Sequence, residues 1–169
     1  MLNSRMTEFS PIPYGHKPAF YKELLSELQG LYEPTWFTNL ANASAALMAH
    51  LPRINWVGFY LYKENELVLG PFQGLPACLR IALGKGVCGT AAEKHETQLV
   101  PDVHAFPGHI ACDARSRSEI VVPMIQNGRL LGVLDLDSPE LARFDRADQA
   151  GLEALVAQLL AATHWPSSF

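Results

Sequence analysis

Residues 118–137 read SEIVVPMIQNGRLLGVLDLD. Two runs rich in β-branched and aliphatic residues meet at Asn127-Gly128, the dipeptide that most readily supplies the positive φ angles of a tight hairpin turn. An antiparallel pair is therefore predicted in the second half of the chain. Upstream, INWVGFYLYK (54–63) is another strong strand, and a turn-like ENE leads from it into ELVLGPF (66–72), a second hairpin. Arg80 to Leu83 reads as a short strand. Gly86 to Lys94 reads as a short helix entered through glycines, and QLVPDV (98–103) as an edge strand limited by Pro101. Helices flank this block. Lys17 to Leu28 carries Phe20, Leu24, Leu25 and Leu28 at helical spacing before Gly30, and a second helix follows Pro34 to about His50. A third starts at Asp145 and continues through LEALVAQLLAAT. Strands that cluster instead of alternating with long helices predict an α+β fold. One central antiparallel sheet is expected, with helices packed on one face and a loop-covered pocket on the other.

The 169 residues suit one domain, placed at 17–165 behind a Pro-rich, polar lead-in over 1–16 that is expected to be flexible. Hydrophobic residues make up 49% and charged residues 18%, enough apolar material for a continuous core and too much for disorder. The net charge of -4, without clusters of Lys or Arg, argues against a nucleic-acid partner or an anionic membrane surface. No apolar run approaches the roughly 20 residues that span a bilayer, and the first residues lack a signal-like apolar segment. A cytoplasmic location is expected. Among the three cysteines, Cys78, Cys88 and Cys112, no pair has the close spacing of zinc ligands, so no metal site is expected. The odd count gives no structural disulfide framework in a reducing compartment.

Trp56, Gly58 and Tyr60 share a strand face. They are either sheet packing or the walls of an aromatic gap fit for a polarisable ligand such as a thioether or sulfoxide. Asp135 and Asp137 also share a face, with Leu131 and Val133, at the end of a very apolar strand. They either reach solvent or hold something cationic, because an unpaired buried charge is costly. Glu119 poses a problem of parity. A strict two-residue turn pairs Gln126 with Arg129 and hence Ile120 with Asp135, which puts Glu119 on the face opposite Asp135. If Glu119 shares their pocket, the hairpin must hold an irregularity: a three-residue turn, or a bulge, for which Pro123 is the marked place. Cys112 lies in HIACDARSRSE with His109, Arg115 and Arg117 nearby, neighbours expected to favour the thiolate, while Asp113 opposes it. Cys88, at the opening of a short helix, is expected to have a lowered thiol pKa. Cys78 lies in the loop GLPACLR.

The blocks NWVGFYL, ELVLGPFQG, GVCGTAA, HIACDARSRSEIVVP and GVLDLDSP closely resemble the free methionine-(R)-sulfoxide reductases, which are stand-alone GAF domains. The resemblance covers roughly residues 20 to 160 and includes all three cysteines. It implies that Cys112 is the catalytic cysteine, Cys78 the resolving cysteine and Cys88 a third thiol able to join disulfide exchange. It implies further that Trp56 and Tyr60 wall the pocket, and that Glu119, Asp135 and Asp137 surround the substrate amine and sulfoxide. The implied activity is reduction of free methionine-(R)-sulfoxide to methionine through cysteine sulfenic acid and disulfide chemistry. Thioredoxin is the implied reductant, with no bound cofactor. A homodimer is left open. The competing expectation is a GAF-type sensor or binding module for a small metabolite.

Overall fold

A computed structural model describes residues 10–108 and 113–169. Its elements are α1 (Lys17–Gln29), α2 (Trp36–His50), β1 (Trp56–Lys63), β2 (Glu66–Gln73), β3 (Arg80–Ala82), α3 (Gly86–Lys94), β4 (Gln98–Val100), β5 (Ser118–Gln126), β6 (Arg129–Ser138) and α4 (Arg146–Ala162). The strands form a six-stranded antiparallel sheet in the order β3-β2-β1-β6-β5-β4. The architecture is the expected α+β one, and β1 and β6 run side by side at its centre. Among the described residues no helix is long and apolar enough to cross a membrane.

Strand alternation divides the apolar residues into two cores. Val57, Phe59, Leu61, Ile120, Val122, Leu134 and Leu136 face α1, α2 and α4. Trp56, Tyr60, Val121 and Val133 face the other way, toward α3 and the connecting loops. The helices thus do not all lie on one face: α3 packs on the pocket side, against β3, β4, β5 and β6.

The helical layer is tied by Asp148, fully buried in the first turn of α4. It accepts hydrogen bonds from Tyr14 Oη at 2.5 Å, Tyr21 Oη at 2.9 Å and Lys17 Nζ at 2.6 Å. Arg143 also approaches it, at 3.4 Å. A buried carboxylate persists because cations and hydroxyls surround it. In the lead-in, residues 1–9 lie outside the described residues. Beyond them Ile12 is buried, and its N–H donates to His50 Nδ1 at 3.3 Å.

The β5–β6 hairpin contains the irregularity that Glu119 required. Gln126 pairs with Arg129 and Ile125 with Leu130, but Met124 pairs with Gly132, so Leu131 is one extra residue on β6. The bulge lies one step nearer the turn than Pro123, and on the opposite strand. Pro123 itself pairs with Val133 in the shifted register. Two consequences follow. Glu119 comes opposite Asp137. Leu131, expected on the face of Val133 and Asp135, turns to the helical core instead. At the bulge β6 presses close to β1: a Cβ on Gly132 would stand 2.1 Å from the Tyr60 carbonyl oxygen. Only glycine permits that approach.

Gly132→Ala is therefore expected to destabilise the protein by about 3 kcal/mol in urea unfolding. Gly128→Ala in the turn, where φ is +76° but a Cβ meets nothing within 4 Å, should cost only about 1 kcal/mol.

Candidate active site

Three elements converge on one hollow. β6 brings Asp135 and Asp137, β5 brings Glu119 and α3 brings Cys88, and all line a cavity of about 30 Å³ together with Ile81, Lys85, Asp113 and Ser116. A smaller hollow of about 10 Å³ lies on the other side of Asp135 and Asp137, walled by Trp56, Tyr60 and residues 75–77. The first has room for water.

Trp56, Tyr60, Glu119, Asp135 and Asp137 all point to the pocket side. The gap over Gly58 is not ligand space, however. A Cβ there would lie 2.3 Å from Phe72 Cβ and 2.7 Å from Trp56 Cη2. The indole folds across the glycine and stacks with Phe72 at 5.4 Å and with Tyr60 at 5.9 Å between centroids. Gly58 serves the aromatic stack, and the stack serves as the wall. Its polar tips reach outward: Trp56 Nε1 donates to the Leu75 carbonyl at 3.1 Å and Tyr60 Oη to the Cys78 carbonyl at 3.0 Å. These bonds hang the loop after β2 over the site.

Cys112 and His109 lie outside the described residues. Cys78 is disulfide-bonded, whereas Cys88 is a free, buried thiol. Cys88 Sγ donates to Glu119 Oε1 at 3.8 Å. The expected lowering of its pKa is not what the structure gives. Burial, followed by the negative charges of Asp135 and Glu119, pushes the Cys88 thiol well above its usual range. Two adjacent carboxylates and the loss of water outweigh the opening turn of a short helix. Arg115 holds Asp113 with contacts of 2.7 to 3.2 Å. The Arg115 hydrogen bonds keep the Asp113 carboxyl well below the usual range.

The three carboxyls move the other way. Burial is the largest cause for each. It raises Asp135 to about 7, while the hydrogen bonds to Cys88 and Glu119 pull against it. Glu119 is raised well above its ordinary value by burial and then by the Asp135 and Asp137 charges. Asp137 is raised by burial and then by Asp135, against a hydrogen bond from Ser116. Such acids cannot all ionise together near neutral pH without a cation among them. Asp135 Oδ1, in a residue only 5% exposed, has no hydrogen-bond partner among the described residues. Donor atoms of Cys88, Glu119 and Asp135 lie within 4.8 Å of one another, so this set could hold a cation. The cluster can accept an ammonium group and can also donate a proton.

Sequence reading missed Asn55 and Ser116. Asn55 Nδ2 donates to Asp113 Oδ2 at 2.9 Å and to Ser116 Oγ at 3.1 Å, fixing the far wall. The contact joins positions 58 residues apart and carries no local signal.

This fold and pocket define a GAF domain, and a family model of that description matches residues 37–162. Among curated relatives, the free methionine-R-sulfoxide reductase of Escherichia coli (strain K12) is 48% identical over 159 residues, 91% of this chain and 96% of its own. The protein of the same name from Saccharomyces cerevisiae is 49% identical, covering 83% of each chain. A solved free methionine-R-sulfoxide reductase from Neisseria meningitidis, in complex with its substrate, is 47% identical with a TM-score of 0.84, over 89% of this chain and 92% of that one. The chain belongs to the free methionine-R-sulfoxide reductase family, and so to the oxidoreductases.

The raised carboxyl groups predict a stability that depends on pH. An acid with a higher pKa in the folded than in the unfolded state stabilises the fold most at low pH, and that contribution is lost as pH rises through the folded value. For Asp135 the window runs from about 4 to 7. Urea unfolding should show about 2 kcal/mol less stability at pH 8 than at pH 5 from this group. Asp135→Asn should remove most of that loss.

Proposed function

We propose that this protein reduces free L-methionine-(R)-sulfoxide to L-methionine. The observation that carries the reading is the convergence of Glu119, Asp135 and Asp137 in two adjoining hollows that share the two aspartates, one of them walled by Trp56 and Tyr60. An amino acid's ammonium group matches an acidic cluster that cannot fully ionise alone. Its thioether-like end matches the stacked rings of Trp56 and Tyr60. A peptide-linked methionine sulfoxide offers an amide where the free amino acid offers the cation. The carboxylates would then be left unpaired, which disfavours that substrate strongly.

In the proposed reaction the Cys112 thiolate adds to the sulfoxide sulfur while a carboxylic acid of the cluster protonates the sulfoxide oxygen. Collapse moves the hydroxyl to the cysteine sulfur, so the thioether of methionine leaves and Cys112 becomes a sulfenic acid. The Cys78 thiolate then attacks that sulfur, water departs with the second proton, and a disulfide closes. A dithiol reductant, thioredoxin in this reading, takes the oxidation away by thiol exchange. The balance is one sulfoxide and one dithiol to one thioether, one disulfide and one water, with no bound cofactor. The disulfide-bonded state of Cys78 supports its resolving role, and the raised pKa of buried Cys88 argues for a subordinate one.

Incubation with racemic free methionine sulfoxide and dithiothreitol should consume the R epimer and yield methionine. Binding without turnover would favour the sensor reading instead. Cys112→Ser should yield no methionine even in a single turnover. Cys78→Ser should release about one methionine per enzyme and then stop when thioredoxin is the reductant. Sustained turnover in that variant would move the resolving role to Cys88.

A further inference from the structure

The loop over the aromatic wall has a feature that the reaction at the carboxylates does not use. Leu75 is 52% and Leu79 is 73% exposed, and they bracket Cys78. No charged residue occurs from Gln73 to Leu79. A lone exposed leucine needs no explanation. These two differ because their backbones are held in place. The Leu75 carbonyl accepts from Trp56 Nε1 at 3.1 Å, the Cys78 carbonyl from Tyr60 Oη at 3.0 Å, and the Leu79 carbonyl from the Leu69 N–H at 3.0 Å. The segment is a fixed, uncharged ledge with two bare leucines and a disulfide sulfur between them.

Thiol exchange constrains whatever reduces that disulfide. The attacking thiolate must approach along the S–S axis, so a protein that carries the thiol on its own surface presses on the residues around the sulfur. We propose that Leu75 and Leu79 form the docking surface for a protein dithiol reductant, which seats an uncharged, apolar rim of its own on them. The inference rests on the functional reading above, in which Cys78 is paired with Cys112. The reductant's thiolate attacks Cys78 Sγ, forming a mixed disulfide and expelling the Cys112 thiolate. The reductant's second thiol then attacks its own sulfur in that bond. Cys78 leaves as thiolate, both enzyme thiols regain protons, and the two electrons have come from the reductant, now a disulfide. Apolar contact at the ledge fixes the encounter.

The test compares thioredoxin, kept reduced by its reductase, with dithiothreitol, which is too small to need a docking surface. In Leu79→Ser the KM for thioredoxin should rise about tenfold, whereas kcat with dithiothreitol and the KM for methionine sulfoxide stay unchanged. The Leu79→Met variant, which keeps the apolar surface, should retain the parent KM for thioredoxin. An unchanged thioredoxin KM in the serine variant overturns the docking surface, as does an equal loss with both reductants. A parent protein inert with either reductant overturns the functional reading beneath it.

Discussion

Between the Ile125–Leu130 and Met124–Gly132 pairs the β5–β6 ladder takes up one extra residue, and that residue decides which side chains meet on the pocket face. Strand side chains alternate with a period of two, so a shift of one exchanges the faces for everything beyond it. With the bulge, Glu119 stands opposite Asp137, and Val121 stands opposite Asp135. Without it, Glu119 would enter the helical core as a lone buried acid. The bulge is held where Gly132 lets β6 approach the Tyr60 carbonyl, so the glycine, the register and the acidic cluster form one dependency.

That cluster works against the fold. Three carboxyls and a thiol share one hollow, and Asp135 Oδ1 has no hydrogen-bond partner among the described residues. The contrast with Asp148 is instructive. Asp148 is equally buried but meets Lys17, Arg143 and two tyrosine hydroxyls, so its burial holds α1 and α4 together. Glu119, Asp135 and Asp137 have no such cation among the hydrogen bonds and ion pairs of the described residues, and burial raises their pKa values. Local stability is given up where a cationic ligand can restore it.

The aromatic stack links the two halves of the site. Its faces fill the space above Gly58 and wall the pocket, while its polar atoms, Trp56 Nε1 and Tyr60 Oη, hold the loop that carries Cys78. Residues with an apolar body and a polar tip suit this double duty. The disulfide loop is thereby tethered to the same β1 side chains that border the acids.

Much of this was legible in the sequence. Apolar spacing, the Asn127-Gly128 turn and the Asp145 cap located the helices and strands to within two residues, because those signals are local, except that β4 stops at Val100, three residues before the expected end at Val103. The motif blocks around Cys78, Cys88, Glu119 and Asp135 marked the family and the pocket residues. Parity arithmetic even required an irregular hairpin, but it could not place the extra residue at Leu131, since a bulge is chosen by how β6 packs against β1. Tertiary structure alone decided the raised pKa of Cys88, the pairing of Arg115 with Asp113, the filling of the Gly58 gap and the packing of α3 on the pocket side. Each of these depends on burial or on a partner distant in sequence. Local propensity carries no record of what the folded chain removes from water or of which charges it then brings together.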